Sequence, residues 1–172
     1  MNKYFLLIFL LSFSIVHAQI SEKSLKKHIS FLASDKMKGR QTGSKEVGMA
    51  ATYIEKQFKK YGLTPMGDNG FRQSFEAKVK RVVVADSIRK AENIIGFLDN
   101  GAAYTIVIGA HYDHIGYGDL GNSKDSLNIG KIHNGADDNA SGTAGLLELA
   151  KHYATNKTRE PFNLLFIAFC AE

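Results

Sequence analysis

Two uninterrupted apolar runs constrain this chain more than any other feature. They are residues 104–110 (YTIVIGA) and 162–169 (FNLLFIAF). Runs of this length without polar alternation fit strands buried on both faces of a sheet. Between them, residues 141–153 carry Leu146, Leu147, Leu149 and Ala150 in a helical pattern, with Asp138 or Asn139 available as a cap. A helix joining two buried strands is a crossover, so the pair is expected to run parallel. The predicted class is α/β, a mixed and mostly parallel central sheet flanked by helices.

Each run ends in residues suited to chemistry. His111-Tyr112-Asp113-His114 follows the first and Cys170-Ala171-Glu172 the second. Open α/β sheets bind ligands beyond the carboxyl ends of their strands. Residues i and i+2 of extended chain point to one side, so the Asp113 carboxylate can accept from the His111 imidazole. That fixes the tautomer and leaves the other ring nitrogen for a metal. Asp137 and Asp138 are adjacent carboxylates just ahead of the helix. A helix N-terminus offsets their repulsion by about 0.3–1 kcal/mol, and a divalent cation by far more. Taken alone, the pair also reads as an N-cap with an extra surface acid. The connection 115–135 holds five glycines, and loops of that length in a compact domain usually carry function. His114 and His133 are expected at its rim. A carboxylate at Glu172 can serve as a general base.

Upstream, residues 20–34 read as a helix capped by Ser21, with Leu25, Ile29 and Leu32 inward and His28 among surface lysines. Residues 35–43 contain Gly39-Arg40-Gln41-Thr42-Gly43. They lack phosphate-loop spacing and are expected to be a structural turn. Residues 44–61 form a long amphipathic helix with Val47, Ala50, Ala51, Ile54 and Phe58 inward, Glu55 paired with Lys59 outside, and Gly62 as the stop. Residues 71–88, including Val82-Val83-Val84, suggest one or two antiparallel edge strands, and residues 93–98 another.

The net charge of +5 is spread along the chain, so a clustered nucleic-acid footprint is not expected. The one cysteine, Cys170, excludes an internal disulfide and is expected to be a buried, inert thiol. Lys3, the apolar residues 5–16 and Val16-His17-Ala18 read as a signal peptide cleaved after Ala18. That predicts a secreted or periplasmic protein without a stable membrane anchor, with residues 19–172 as the N-terminal part of a single domain.

Three motifs in order, Ala110-His-Tyr-Asp-His-Ile-Gly116, Asn134-Gly-Ala-Asp-Asp-Asn-Ala-Ser-Gly142 and Phe169-Cys-Ala-Glu172, resemble the co-catalytic zinc aminopeptidases, the family-28 metallopeptidases. Residues 31–40 and 61–65 resemble the leader region of its secreted bacterial members. The resemblance implies a zinc-exopeptidase-like fold and metal-dependent removal of N-terminal residues from peptides or proteins, with two Zn2+ ions and a Glu general base. His111 matches a zinc ligand and Asp113 its orienting carboxylate. Asp137 matches the carboxylate bridging both metals, with a cis peptide to Asp138, and Glu172 matches the base. The family also has a second Glu after the base and further Asp and His ligands downstream. The expectation is therefore an N-terminal part cut at the active site, weak in zinc binding and inactive as given. A glutaminyl-cyclase-like enzyme with one zinc, and a non-catalytic binding protein on the same scaffold, are the alternatives.

Overall fold

The structure is a computed structural model that describes residues 20–78 and 87–172. The signal-peptide expectation at 1–18 and the Val82-Val83-Val84 run lie outside the described residues. Among the described residues, no helix is long and apolar enough to cross a membrane.

Helix α1 (Glu22–Leu32) begins at Ser21, whose side chain accepts from the Ser24 N–H at 3.1 Å. Helix α2 (Lys45–Tyr61) begins at Ser44, which accepts from the Val47 N–H in the same way. It ends at Gly62 in the left-handed conformation, whose N–H returns to the Lys59 carbonyl. The predicted stripe Val47, Ala50, Ala51, Ile54 and Phe58 is fully or nearly buried. Burying Phe58 or Ile54 contributes about 2 kcal/mol each.

The sheet holds β1 (Thr64–Pro65), β2 (Arg72–Lys78), β3 (Ile88–Leu98), β4 (Thr105–His111) and β5 (Asn163–Phe169). β1 and β2 pair antiparallel with successive parts of β3. β3 pairs antiparallel with β5, and β5 pairs parallel with β4. The sheet is mixed, as expected, but among the described residues it is mostly antiparallel rather than mostly parallel, because β3 pairs antiparallel with β1, β2 and β5. Its parallel component is the β4–β5 pair, joined through α3 (Ser141–Thr155) as the crossover pattern predicted. Helices α2 and α3 pack on each other and on the sheet face that carries Ile94, Leu164, Phe166 and Ala168, and α1 packs on α3.

Three expectations are corrected. The run 104–110 that forms β4 is not buried on both faces: Tyr104, just ahead of the strand, and Ile106 and Val107 within it are 79%, 44% and 57% exposed. It is the edge of this sheet, pairing with β5 alone among the described residues. Hydrophobicity signals the capacity for burial, and neighbours decide whether it occurs. His28 is not on the surface. It is 4% exposed, because α3 packs across α1 and brings Glu148 against it. Glu55 pairs with Arg72 at 2.7 Å rather than with Lys59, and Arg72 also reaches Glu92 at 2.5 Å, which ties α2 to the outer sheet.

Candidate metal centre

His111 closes β4 in register with Phe169, so the ends of the two parallel strands lie side by side. The chain then alternates. Tyr112 turns into the core, where its hydroxyl donates to the Glu92 carbonyl at 2.6 Å. Asp113 returns to the side of His111 and is 4% exposed. Its Oδ2 accepts from the Thr42 hydroxyl at 2.6 Å and from the Ala171 N–H at 3.0 Å. Its Oδ1 is buried without a hydrogen-bond partner and lies 3.8 Å from His111 Nδ1. The Asp113 carbonyl is 3.2 Å from the same nitrogen. Nδ1 therefore faces acceptors only and carries the proton, and Nε2 is left to the opening of the site.

Two carboxylates meet Nε2 there. Asp138 Oδ1 is 3.1 Å away and Glu172 Oε2 is 3.0 Å away. The three donor atoms all lie within 4.8 Å of one another. Zinc bonds of about 2.0–2.2 Å in a tetrahedron put donors roughly 3.4 Å apart, so this set fits a zinc ion with little movement. The donor chemistry of His111 and Asp138 agrees, imidazole and carboxylate both being ligands of catalytic zinc, and the Glu172 carboxylate stands beside them. The acceptors around His111 raise its pKa, Asp113 foremost, with Glu172 and Asp138 adding to it against the opposing effect of burial. Concentrated negative charge of this kind calls for a cation. A cleft of about 450 Å3, lined by Gly109, His111, Asn139, Phe169 and Glu172 among others, opens beside the cluster.

The expected bridging residue was Asp137, with a cis peptide to Asp138. The structure brings Asp138 to His111 and places the cis peptide one residue later, between Asp138 and Asn139. Asp137 is exposed, and its carbonyl accepts from the Ser141 hydroxyl. Asp138 and Asn139 have non-helical backbone angles, and it is the Asp138 carboxylate that reaches His111. A sequence cannot choose between two adjacent acids without those angles. Asn139 caps α3, its side chain accepting from the Gly142 N–H at 2.9 Å. His114 was expected at the rim, yet its side chain is 13% exposed and its Nδ1 lies 3.6 Å from Asp138 Oδ2. Gly135 makes that approach possible. It sits at φ 58°, and a Cβ there would stand 2.7 Å from the His114 ring.

Arg40 was read only as part of a turn. It is fully buried, and its guanidinium donates to the carbonyls of Tyr112, Leu32, Asn134 and Gly135. Burial pushes its pKa down to about 10, and Asp113 and Asp138 oppose the shift. It therefore stays protonated at neutral pH. Cys170 is buried as expected, its thiol pushed up to about 12 by burial.

The pattern of peptidase family M28 matches residues 93–172. This segment, a little under half of the chain, is similar to peptidase family M28. The M28 segment contains β3, β4, α3 and β5 and therefore His111, Asp113, Asp138 and Glu172, while Arg40 and Thr42 lie before it. Over 84 residues the chain is 39% identical to nicalin from Caenorhabditis elegans, which is 45% of this chain and 13% of that protein. Among solved structures it resembles Porphyromonas gingivalis glutaminyl cyclase (TM-score 0.71, 19% identity, 87% of this chain and 47% of that one). It also resembles a leucine aminopeptidase precursor from Bacteroides thetaiotaomicron (TM-score 0.65, 22% identity, 87% and 47%). A Zn-dependent exopeptidase from Parabacteroides distasonis is similar too (TM-score 0.66, 21% identity, 88% and 47%). These likenesses establish a zinc-exopeptidase-like fold, of which the chain spans about half the length.

Proposed function

We propose that this chain supplies one side of the active site of a zinc-dependent aminopeptidase, which removes residues from the N-termini of peptides or proteins. The observation that carries the reading is His111 Nε2 standing 3.1 Å from Asp138 and 3.0 Å from Glu172, with Nδ1 facing Asp113. His111 and Asp138 would hold the metal. When bound, zinc supplies Lewis acidity toward the scissile carbonyl and lowers the pKa of water. A second zinc is part of the proposal, with Asp138 as the shared ligand in place of Asp137.

The remaining work falls to the chain's own side chains. Asp113 keeps the His111 proton on Nδ1 and the ring in its orientation. Glu172 takes a proton from the attacking water and returns it to the leaving amine, converting that amine into a better leaving group. Its carboxylate is 70% exposed, open to the cleft from which a substrate would approach. Export behind a signal peptide of residues 1–18 is part of the same reading.

Glutaminyl cyclisation is the second reading, favoured by the likeness to glutaminyl cyclases of Porphyromonas gingivalis and Fimbriiglobus ruber. The test is to load the longest natural product of this gene with zinc, then assay it on aminoacyl chromogenic substrates and on an N-terminal glutaminyl peptide. Release of the chromophore supports the aminopeptidase. Loss of ammonia from the glutaminyl peptide without chromophore release replaces it with the cyclase. Neither reaction, at full metal occupancy, refutes both.

A further inference from the structure

The segment ahead of α2 makes contacts that a surface turn does not need. The Arg40 carbonyl accepts from the His114 N–H, and the Gly39 carbonyl from the Gly116 N–H, both at 3.1 Å. Gln41 bridges His114 in parallel fashion. Residues 39–41 thus run as a short ribbon along the chain that leaves His111. Gly39 sits at φ 68°, and a Cβ there would stand 2.5 Å from the His133 carbonyl, so the far end of the glycine-rich connection presses on the same ribbon.

From this ribbon two side chains reach the metal centre's supports. The Arg40 Nε donates to the Tyr112 carbonyl at 2.7 Å, between His111 and Asp113. Its Nη1 and Nη2 donate to the Asn134 and Gly135 carbonyls at 2.8 and 3.0 Å, just ahead of Asp137 and Asp138. One rigid, planar group therefore fixes the two ends of the long connection relative to each other. Thr42 fixes the third element, donating to the Asp113 oxygen that also holds the Ala171 N–H next to Glu172.

We propose that Arg40 and Thr42 are positioning residues that set the separation of His111 from Asp138 and the orientation of Asp113. The inference rests on reading His111 and Asp138 as metal ligands. Lysine cannot replace the guanidinium, because an ammonium is a single point and cannot span carbonyls arriving from different directions. Arg40 touches no carboxylate in the hydrogen bonds it makes, so its charge is set against Asp113 and Asp138 at longer range, inside the site it braces.

The experiment uses the full chain with Arg40→Lys, Thr42→Val and Thr42→Ser, and Ile54→Val as a core variant away from the site. Cobalt affinity and the visible spectrum of bound Co2+ are measured beside thermal stability. Arg40→Lys and Thr42→Val are each expected to weaken cobalt binding about tenfold and to shift the spectrum. Thr42→Ser is expected to restore both, and Ile54→Val to lower the melting temperature alone. Wild-type affinity and spectrum in folded Arg40→Lys and Thr42→Val overturn the proposal. If Arg40→Lys does not fold, the Thr42→Val and Thr42→Ser pair decides it. If the unsubstituted chain binds no cobalt, the metal reading fails, and the ring 15N shifts of His111 in metal-free protein judge the positioning. A shift in Thr42→Val that Thr42→Ser reverses supports it, and unchanged shifts overturn it.

Discussion

His28 Nε2 lies 3.3 Å from Glu148 Oε1, joining α1 to α3 across 120 residues of chain. Both side chains are buried. The ionised carboxylate only accepts, so Nε2 carries the proton, and Nδ1 accepts from the Tyr53 hydroxyl at 2.7 Å. Ser24 donates to the same carboxylate oxygen at 2.5 Å. The neutral imidazole is thus satisfied at both nitrogens. Burial holds the His28 pKa below its ordinary 6.5, although Glu148 pulls the other way.

Stability should follow from that sign. Below pH 6.5 the unfolded chain takes up a proton that folded His28 refuses, so stability rises with pH in this range. The contribution is fully present above 6.5 and is lost as pH falls toward the folded value. Urea titrations between pH 5 and 7.5 are expected to show the midpoint falling on the acid side, and His28→Gln is expected to flatten that dependence. An unchanged slope in His28→Gln would remove the imidazole as its source.

Glu148 is 2% exposed. Burial pushes its pKa up, and Ser24, Lys151 and His28 outweigh that. Glu148→Ala strips the buried network of its acceptor and is expected to cost roughly 3 kcal/mol. Equilibrium denaturation measures it, and a loss below about 1 kcal/mol would mean the network contributes little.

The two neighbouring acids should separate cleanly. Asp138→Ala is expected to weaken zinc binding at least about tenfold in a chelator competition, whereas Asp137→Ala should leave it within about twofold. The opposite order would restore Asp137 as the ligand. His111→Ala should lower metal content as well, by elemental analysis of the purified protein.

Gly135→Ala forces an L side chain into the left-handed region and into the His114 ring. A loss of about 1–3 kcal/mol is expected. Gly48→Ala is the control, because a Cβ there meets nothing within 4 Å and the site lies inside α2. It should be neutral or stabilising by up to about 1 kcal/mol.

In the longest natural product of the gene, Glu172→Gln keeps the shape of the side chain and loses its basicity. Turnover on an aminoacyl substrate is expected to fall at least about a hundredfold with zinc content unchanged. Unaltered turnover would remove Glu172 as the base.

The elements that close locally were legible in the residues. Ser21 and Gly62 mark helix ends by their own chemistry, and the α2 stripe follows from a period of 3.6. So were the strand ends that carry His111 and Glu172. What was not legible depends on partners distant in sequence. His28 looks exposed until Glu148 arrives from another helix. Residues 104–110 look buried until their place at the sheet's edge is known. Arg40 looks like part of a turn because its acceptors are carbonyls, and a sequence does not spell out carbonyls.

The bonds of Arg40 to Tyr112, Asn134 and Gly135 span 72, 94 and 95 residues. Contacts of that range wait on the closure of long loops, which is entropically slow to reward. During synthesis, the first two helices emerge well before the residues they must brace. The guanidinium then has no acceptors except water and whatever local carbonyls it finds. The contacts that brace the metal centre are accordingly expected among the later ones to form, after β4 and the turn ahead of α3 have come within reach of Arg40.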